Sequence, residues 1–240
     1  AGVAVWAAPL QLPLLAQAAL TVAIVTAFGP LVYRLAYQSL ADATSLVLLI
    51  VSVGVHFALT GLGLLFFGAE GFRNPPFWDD RFAVGPLNIA GQAIIIGATT
   101  VALIVMLWLF FERTLYGKAL RATAVNRLGA RLMGISTQGA GQLTLAMAAL
   151  IGALSGLLIG PTTTVFYDSG FLIGLKGFVA AVMGGLASYP AALVGALFVG
   201  LVEAFGSFWA SAFKEVIVFT IILPILLWRS LTDKHVGEDH

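Results

Sequence analysis

The sequence predicts an all-α integral membrane protein, a polytopic bundle of transmembrane helices. Three observations carry that expectation. Of 240 residues, 60% are hydrophobic and 10% charged; the mean hydropathy is +1.02; and the few charges gather between long apolar runs rather than along them. Soluble domains carry about 25% charged residues, so a water-covered surface cannot be built from this composition. The formal net charge is +1, from bases spread through loops rather than gathered on one face, which argues against nucleic-acid binding. The absence of cysteine excludes disulfides, thiolate nucleophiles and thiolate metal sites.

Residues 1–33 carry no charge. A signal peptide needs a basic stretch ahead of its apolar core, so the opening reads as an internal point of a bundle whose earlier helices are lacking. Leu10 to Val32 gives about 23 apolar or small residues, which at about 1.5 Å each cross a hydrocarbon layer of about 30 Å. A polar link from Arg34 to Asp42 leads to a second span, Ala43 to Gly68, whose one ionisable group is His56. The stretch EGFRNPPFWDDRF, with adjacent prolines and an acid-leaning balance, predicts a loop on the outer side. The third span runs from about Val84 to Phe111 and the fourth from Gln142 to Gly160, followed by a loop at 161–171.

Two short apolar runs then follow, divided by Gly184, Gly185, Ser188 and Pro190, and a last run from Lys214 to Trp228 ends in a charged tail. The expected count is about seven spans. A broken or re-entrant helix near 174–190 is the alternative, since irregular backbone is tolerated at membrane depth only where protein or a water-filled cavity shields it. Gly152, Gly156 and Gly160, and likewise Ala192, Ala196, Gly200 and Ala204, recur every four residues. That spacing predicts close helix packing within the subunit.

Residues 112–141 form the longest polar segment. Arg113, Lys118, Arg121, Arg127 and Arg131 stand there against the single acid Glu112, and basic loops stay cytoplasmic. Alanine, leucine, arginine and methionine predict one helix from Ala119 to Met133, with Gly134 as a left-handed stop. Leu120, Ala124, Val125, Leu128 and Leu132 would lie near one face of it.

Ionisable residues inside spans are costly and mark function, and few occur. Ser52 precedes His56 by one helical turn but lacks a third orienting group or an oxyanion donor, so a polar helix contact is expected rather than hydrolysis. Glu203 is placed near an interface, with Lys214 and Glu215 free to snorkel or to pair. No metal constellation, phosphate-binding glycine loop or dinucleotide fingerprint appears, so neither catalysis nor a cofactor is expected of this chain.

The run ARLMGI at 130–135, preceded by Arg121 and Ala122, resembles the coupling loop of the permease subunits of branched-chain amino acid ABC importers. Residues 170–219 are similar to the C-terminal half of the same permeases, in GLKGF, GGLAS and the later KE followed by VIVF. The resemblance implies a single transmembrane permease domain over 1–240, with residues 112–141 as its cytoplasmic coupling loop in the inner membrane. It implies a sister permease, two cytoplasmic ATP-binding subunits that hydrolyse ATP, and an extracytoplasmic substrate-binding protein received by loops 69–83 and 161–175.

Arg121, Asn126, Arg127, Ala130, Arg131, Leu132, Met133, Gly134 and Ile135 would then contact the ATPase, and Gly184, Gly185 and Ser188 would line the path. The substrate would be a branched-chain amino acid, or urea or a short amide. A proton- or ion-coupled secondary transporter depending on Glu203 or His56 is the rival reading.

Overall fold

In the computed structural model, residues 13–41, 43–85, 87–184 and 189–232 are described. The chain divides into two compact units, Ala1–Asp168 and Ser169–His240.

The first unit holds helices α1 (Leu14–Val32), α2 (Ser45–Phe67) and α3 (Gly91–Arg113), two short helices α4 (Leu115–Val125) and α5 (Arg127–Leu132), and α6 (Thr137–Ile159). The second holds α7 (Ser169–Met183), α8 (Tyr189–Ala210) and α9 (Lys214–Thr232). Among the described residues, five segments are long and apolar enough to cross a membrane: Leu14–Leu40, Leu46–Phe67, Gly91–Arg113, Thr137–Ile159 and Ala191–Thr220. α7 is apolar but has 15 residues, about 22 Å of helix against about 30 Å of hydrocarbon.

α1 continues through a π-helical turn, Tyr33–Tyr37, and a 3-10 turn, Gln38–Leu40, and packs on α6. The contact is made by glycines in both helices. A Cβ on Gly29 would collide with the backbone of Leu145, and one on Gly141 with the ring of Tyr33. Without side chains at those points the backbones close, and dispersion supplies the association that hydrophobicity cannot supply in lipid. The predicted stripes are corrected at Gly152, Gly156 and Gly200, while Ala192 does pack closely, on Gly184. A Cβ on Gly152 or Gly156 would meet nothing within 4 Å, and the same holds for Gly200 on α8, while on Gly160 it would meet Asn74 Nδ2 at 3.0 Å. Spacing every four residues identified a face, not the neighbour that would cover it.

The third span is also corrected. Helix begins at Gly91 rather than Val84, because Arg81–Val84 and Leu87–Ala90 pair as an antiparallel hairpin, β1 and β2. Gly85, at the connection, has φ +63°, a conformation glycine adopts without penalty. At the other end α6 starts at Thr137, five residues before Gln142, because Ser136 caps it by accepting the Gly139 N–H at 3.1 Å.

In the second unit, Gly184 ends α7 against the backbone of Ala192, and a Cβ on Gly195 would sit 2.5 Å from the Ala180 carbonyl oxygen. α7 and α8 are thus antiparallel and close. Ala210 leaves the helical region (φ −152°, ψ 74°) before the 3-10 turn Ser211–Phe213. α9 then packs back on α8, where a Cβ on Gly206 would lie 3.6 Å from Cα of Lys214. Val179, Ala180, Val199 and Val218 form the core of this unit, with Met183, Val202 and Phe219 around them.

Candidate functional site: the basic helix pair and the ion cluster

The segment predicted as one helix over Ala119–Met133 is two helices. The break falls at Asn126, whose φ −146° and ψ 101° are extended. Its side-chain Oδ1 accepts the Gly129 N–H at 2.8 Å, so asparagine's preference for caps over helix interiors overrides the propensity of its neighbours. α4 is capped the same way: Thr114 Oγ1 accepts the Gly117 N–H at 3.0 Å and donates to the Phe110 carbonyl at 2.6 Å. A Cβ on Gly117 would collide with the Phe110 carbonyl oxygen, so glycine lets α4 fold back tightly on α3. Thr114, Asn126 and Ser136 are each followed three residues later by the glycine whose N–H they accept, a repeated signal that sequence reading missed.

The predicted stop at Gly134 is present, with φ +80°. The Ile135 N–H donates to the Ala130 carbonyl at 2.9 Å and the Gly134 N–H to Arg131 at 3.0 Å, the paired closure of a Schellman motif. Ala130 is buried beneath it.

The arginines are engaged by their own chain. Arg121 pairs with Glu112 at 2.7 Å and donates to the Phe111 carbonyl; Arg127 donates to the Ala41 carbonyl; Arg131 Nε donates to Thr137 Oγ1 at 3.0 Å. They brace α4 and α5 against α3, the α1–α2 link and α6. Apolar groups face outward beside the exposed Lys118, Arg121 and Arg131: Val125, Leu128, Leu132 and Met133 are 69–89% exposed, whereas Leu120 is buried. The break at Asn126 therefore divides the single apolar face expected for an unbroken helix. Gly184 lies in the helix contact described above, and Gly185 and Ser188 fall outside the described residues.

The segments after α2 and after α6 are joined within the first unit. Phe72 and Val165 form a β-bridge, and Arg73 Nε donates to the Pro161 carbonyl at 3.2 Å. Buried Gln92 accepts the Phe77 N–H at 3.1 Å and donates to the Leu158 carbonyl at 3.0 Å. A cleft of about 870 Å³ opens between α1, α3 and α6, its walls alanine and leucine with Thr26 and Thr99 among them. Ser52 donates to the Leu48 carbonyl at 2.8 Å and accepts from Tyr37 Oη at 3.0 Å, which satisfies it as a helix contact.

Sequence reading overlooked Lys176. Its Nζ lies 2.7 Å from Glu203 and 3.0 Å from Glu215, and Lys214 lies 3.9 Å from Glu203. Three helices thus bring two lysines and two glutamates together. The lysine in GLKGF was the available signal, since a charge in a short apolar helix needs partners. Among the described residues no cluster of His, Cys, Asp or Glu could hold a metal ion.

The profile of the family described as branched-chain amino acid transport system / permease component matches residues 1–227. The chain is 31% identical over 225 residues to the high-affinity branched-chain amino acid transport system permease protein BraD of Pseudomonas aeruginosa, covering 91% of this chain and 73% of that protein. It is 31% identical over 213 residues to LivH of Escherichia coli, covering 86% and 69%, and 29% identical over 114 residues to a probable LivH of Methanocaldococcus jannaschii, covering 47% and 36%. No solved structure matches. Crossing-length apolar helices, a braced basic helix pair between two of them, and a match along nearly the whole chain converge: this multi-pass inner-membrane protein belongs to the permease family of branched-chain amino acid ABC transport systems.

Proposed function

We propose that this chain is the permease subunit of an ATP-driven importer that carries branched-chain amino acids across the inner membrane. It works beside a sister permease, two cytoplasmic ATP-binding subunits and an extracytoplasmic binding protein. The observation that carries the reading is the α4–α5 pair. It is stiffened by two caps and a Schellman closure, tied by Arg121, Arg127 and Arg131 to its own bundle, and left with Val125, Leu128, Leu132 and Met133 uncovered. Apolar groups so exposed at the end of a helix bundle mark a docking surface.

In this reading residues 112–141 are the cytoplasmic coupling loop. Asn126, Ala130, Gly134 and Ile135 set its shape, Leu132 and Met133 enter a groove on the ATPase, and the arginines transmit the push to α3 and α6. ATP is bound and hydrolysed by the partner, so this chain needs no cofactor. The alanine-walled cleft of the first unit suits an aliphatic side chain, and Gly184, Gly185 and Ser188 are the proposed backbone lining of the path in the second. The loops at 69–83 and 161–175 receive the binding protein. Purification from mild detergent tests the assignment: co-elution of nucleotide-binding subunits that hydrolyse ATP on addition of leucine-loaded binding protein is expected, and a chain that elutes alone and transports leucine on a proton gradient would overturn it.

A further inference from the structure

Four charges converge on one level of the second unit: Lys176 on α7, Glu203 on α8, and Lys214 and Glu215 at the start of α9. Lys176, with its side chain 17% exposed, already neutralises one carboxylate at 2.7 Å and reaches the second at 3.0 Å. Two groups are left under-used. The second carboxylate oxygen of Glu215 is buried and accepts no hydrogen bond among the described residues. The Lys214 ammonium is 42% exposed and meets Glu203 only at 3.9 Å. An unpaired buried acceptor is costly, and charge in a membrane-spanning unit is retained where it has a ligand or a path to serve.

One unbonded carboxylate oxygen and one loosely paired, exposed ammonium are the complement of a molecule carrying one ammonium and one carboxylate. We infer that Lys176, Glu203, Lys214 and Glu215 form a binding site for the charged head of an α-amino acid. This deepens the permease reading and rests on it. The substrate ammonium takes a Glu215 oxygen, to which the carboxylate turns easily because its terminal torsion is soft. The substrate carboxylate takes Lys214. Because the ligand is a net-neutral zwitterion and the cluster pairs two lysines with two glutamates, the site remains neutral when filled, which limits the desolvation cost. Val179, Val199 and Val218, each one helical turn from a charged residue of its own helix, are buried together.

The test uses the permease assembled with its ATPase subunits in nanodiscs, with Lys214 acylation by an N-hydroxysuccinimide ester followed by mass spectrometry. L-Leucine is expected to slow acylation of Lys214, and 4-methylpentanoate and 3-methylbutylamine, each lacking one charge, to give little protection at the same concentration. Glu215→Gln should raise the leucine concentration for half-protection by about tenfold or more, as loss of one member of a hydrogen-bonded charge pair does. Unchanged acylation, or equal protection by the single-charge analogues, in a complex that imports leucine overturns the site and leaves the permease reading standing. A complex that imports no leucine overturns both. The comparison of the three ligands on the unmodified protein needs no variant, so misfolding of Glu215→Gln does not blunt it.

Discussion

Gly29 of α1 meets Leu145 of α6 backbone to backbone: a Cβ on the glycine would occupy the space of the leucine carbonyl. The two helices therefore approach as closely as their main chains allow. Gly29→Val should force them apart at about 1–3 kcal/mol, the usual cost of overpacking, and lower the melting temperature of the detergent-solubilised protein. Gly152→Ala, where an added Cβ meets nothing within 4 Å, should leave that temperature equal or higher, since alanine is the better helix former by about 1 kcal/mol. Thermal scanning of both variants decides whether Gly29 or the predicted stripe makes the contact.

Gln92 holds the loop after α2 to the end of α6 through both ends of its amide. Gln92→Leu leaves the Phe77 N–H and the Leu158 carbonyl without this partner, at about 1–3 kcal/mol for each buried group left unmade. Faster proteolysis between residues 69 and 90, with weaker capture of the binding protein and unchanged membrane insertion, is the expected result.

Gly134 ends α5 at φ +80°. Gly134→Ala should cost about 1–2 kcal/mol there, and Gly134→Pro also removes the N–H that closes on Arg131. Insertion should survive in both, and the number of leucines carried per ATP should fall, more for proline. Unchanged coupling with proline counts against a rigid lever.

Leu132 and Met133 are exposed and packed on nothing that folding requires. Leu132→Asp and Met133→Asp should therefore keep the melting temperature while losing the ATPase subunits during purification, because a carboxylate in an apolar groove is desolvated without a partner. Retention of the subunits by both variants would move the docking surface elsewhere.

Much of the bundle was legible because apolar runs of crossing length have few alternatives in lipid. The stop at Gly134 was readable too, since a glycine after a helix-forming run supplies the left-handed residue that a Schellman closure requires. Asn126 shows where reading failed. Its neighbours favour helix, and the residue itself decides for a cap only because Gly129 presents its N–H. The hairpin at 81–90 escaped for a related reason: Val84 to Ala90 continues the apolar composition of the helix behind it, and pairing with β1 rather than hydropathy sets its conformation.

By itself the sequence determined the membrane class, the basic segment between two spans and the likeness to permeases, all properties of local composition and order that need no distance between remote residues. Only the tertiary structure decided that Arg121, Arg127 and Arg131 brace their own bundle, that Gly29 rather than Gly152 makes the close contact, and that Lys176 joins Glu203 and Glu215. Lys176 stands 27 residues from one partner and 39 from the other. What a buried charge does is set by which helix faces it, and hydropathy along a chain carries no record of that.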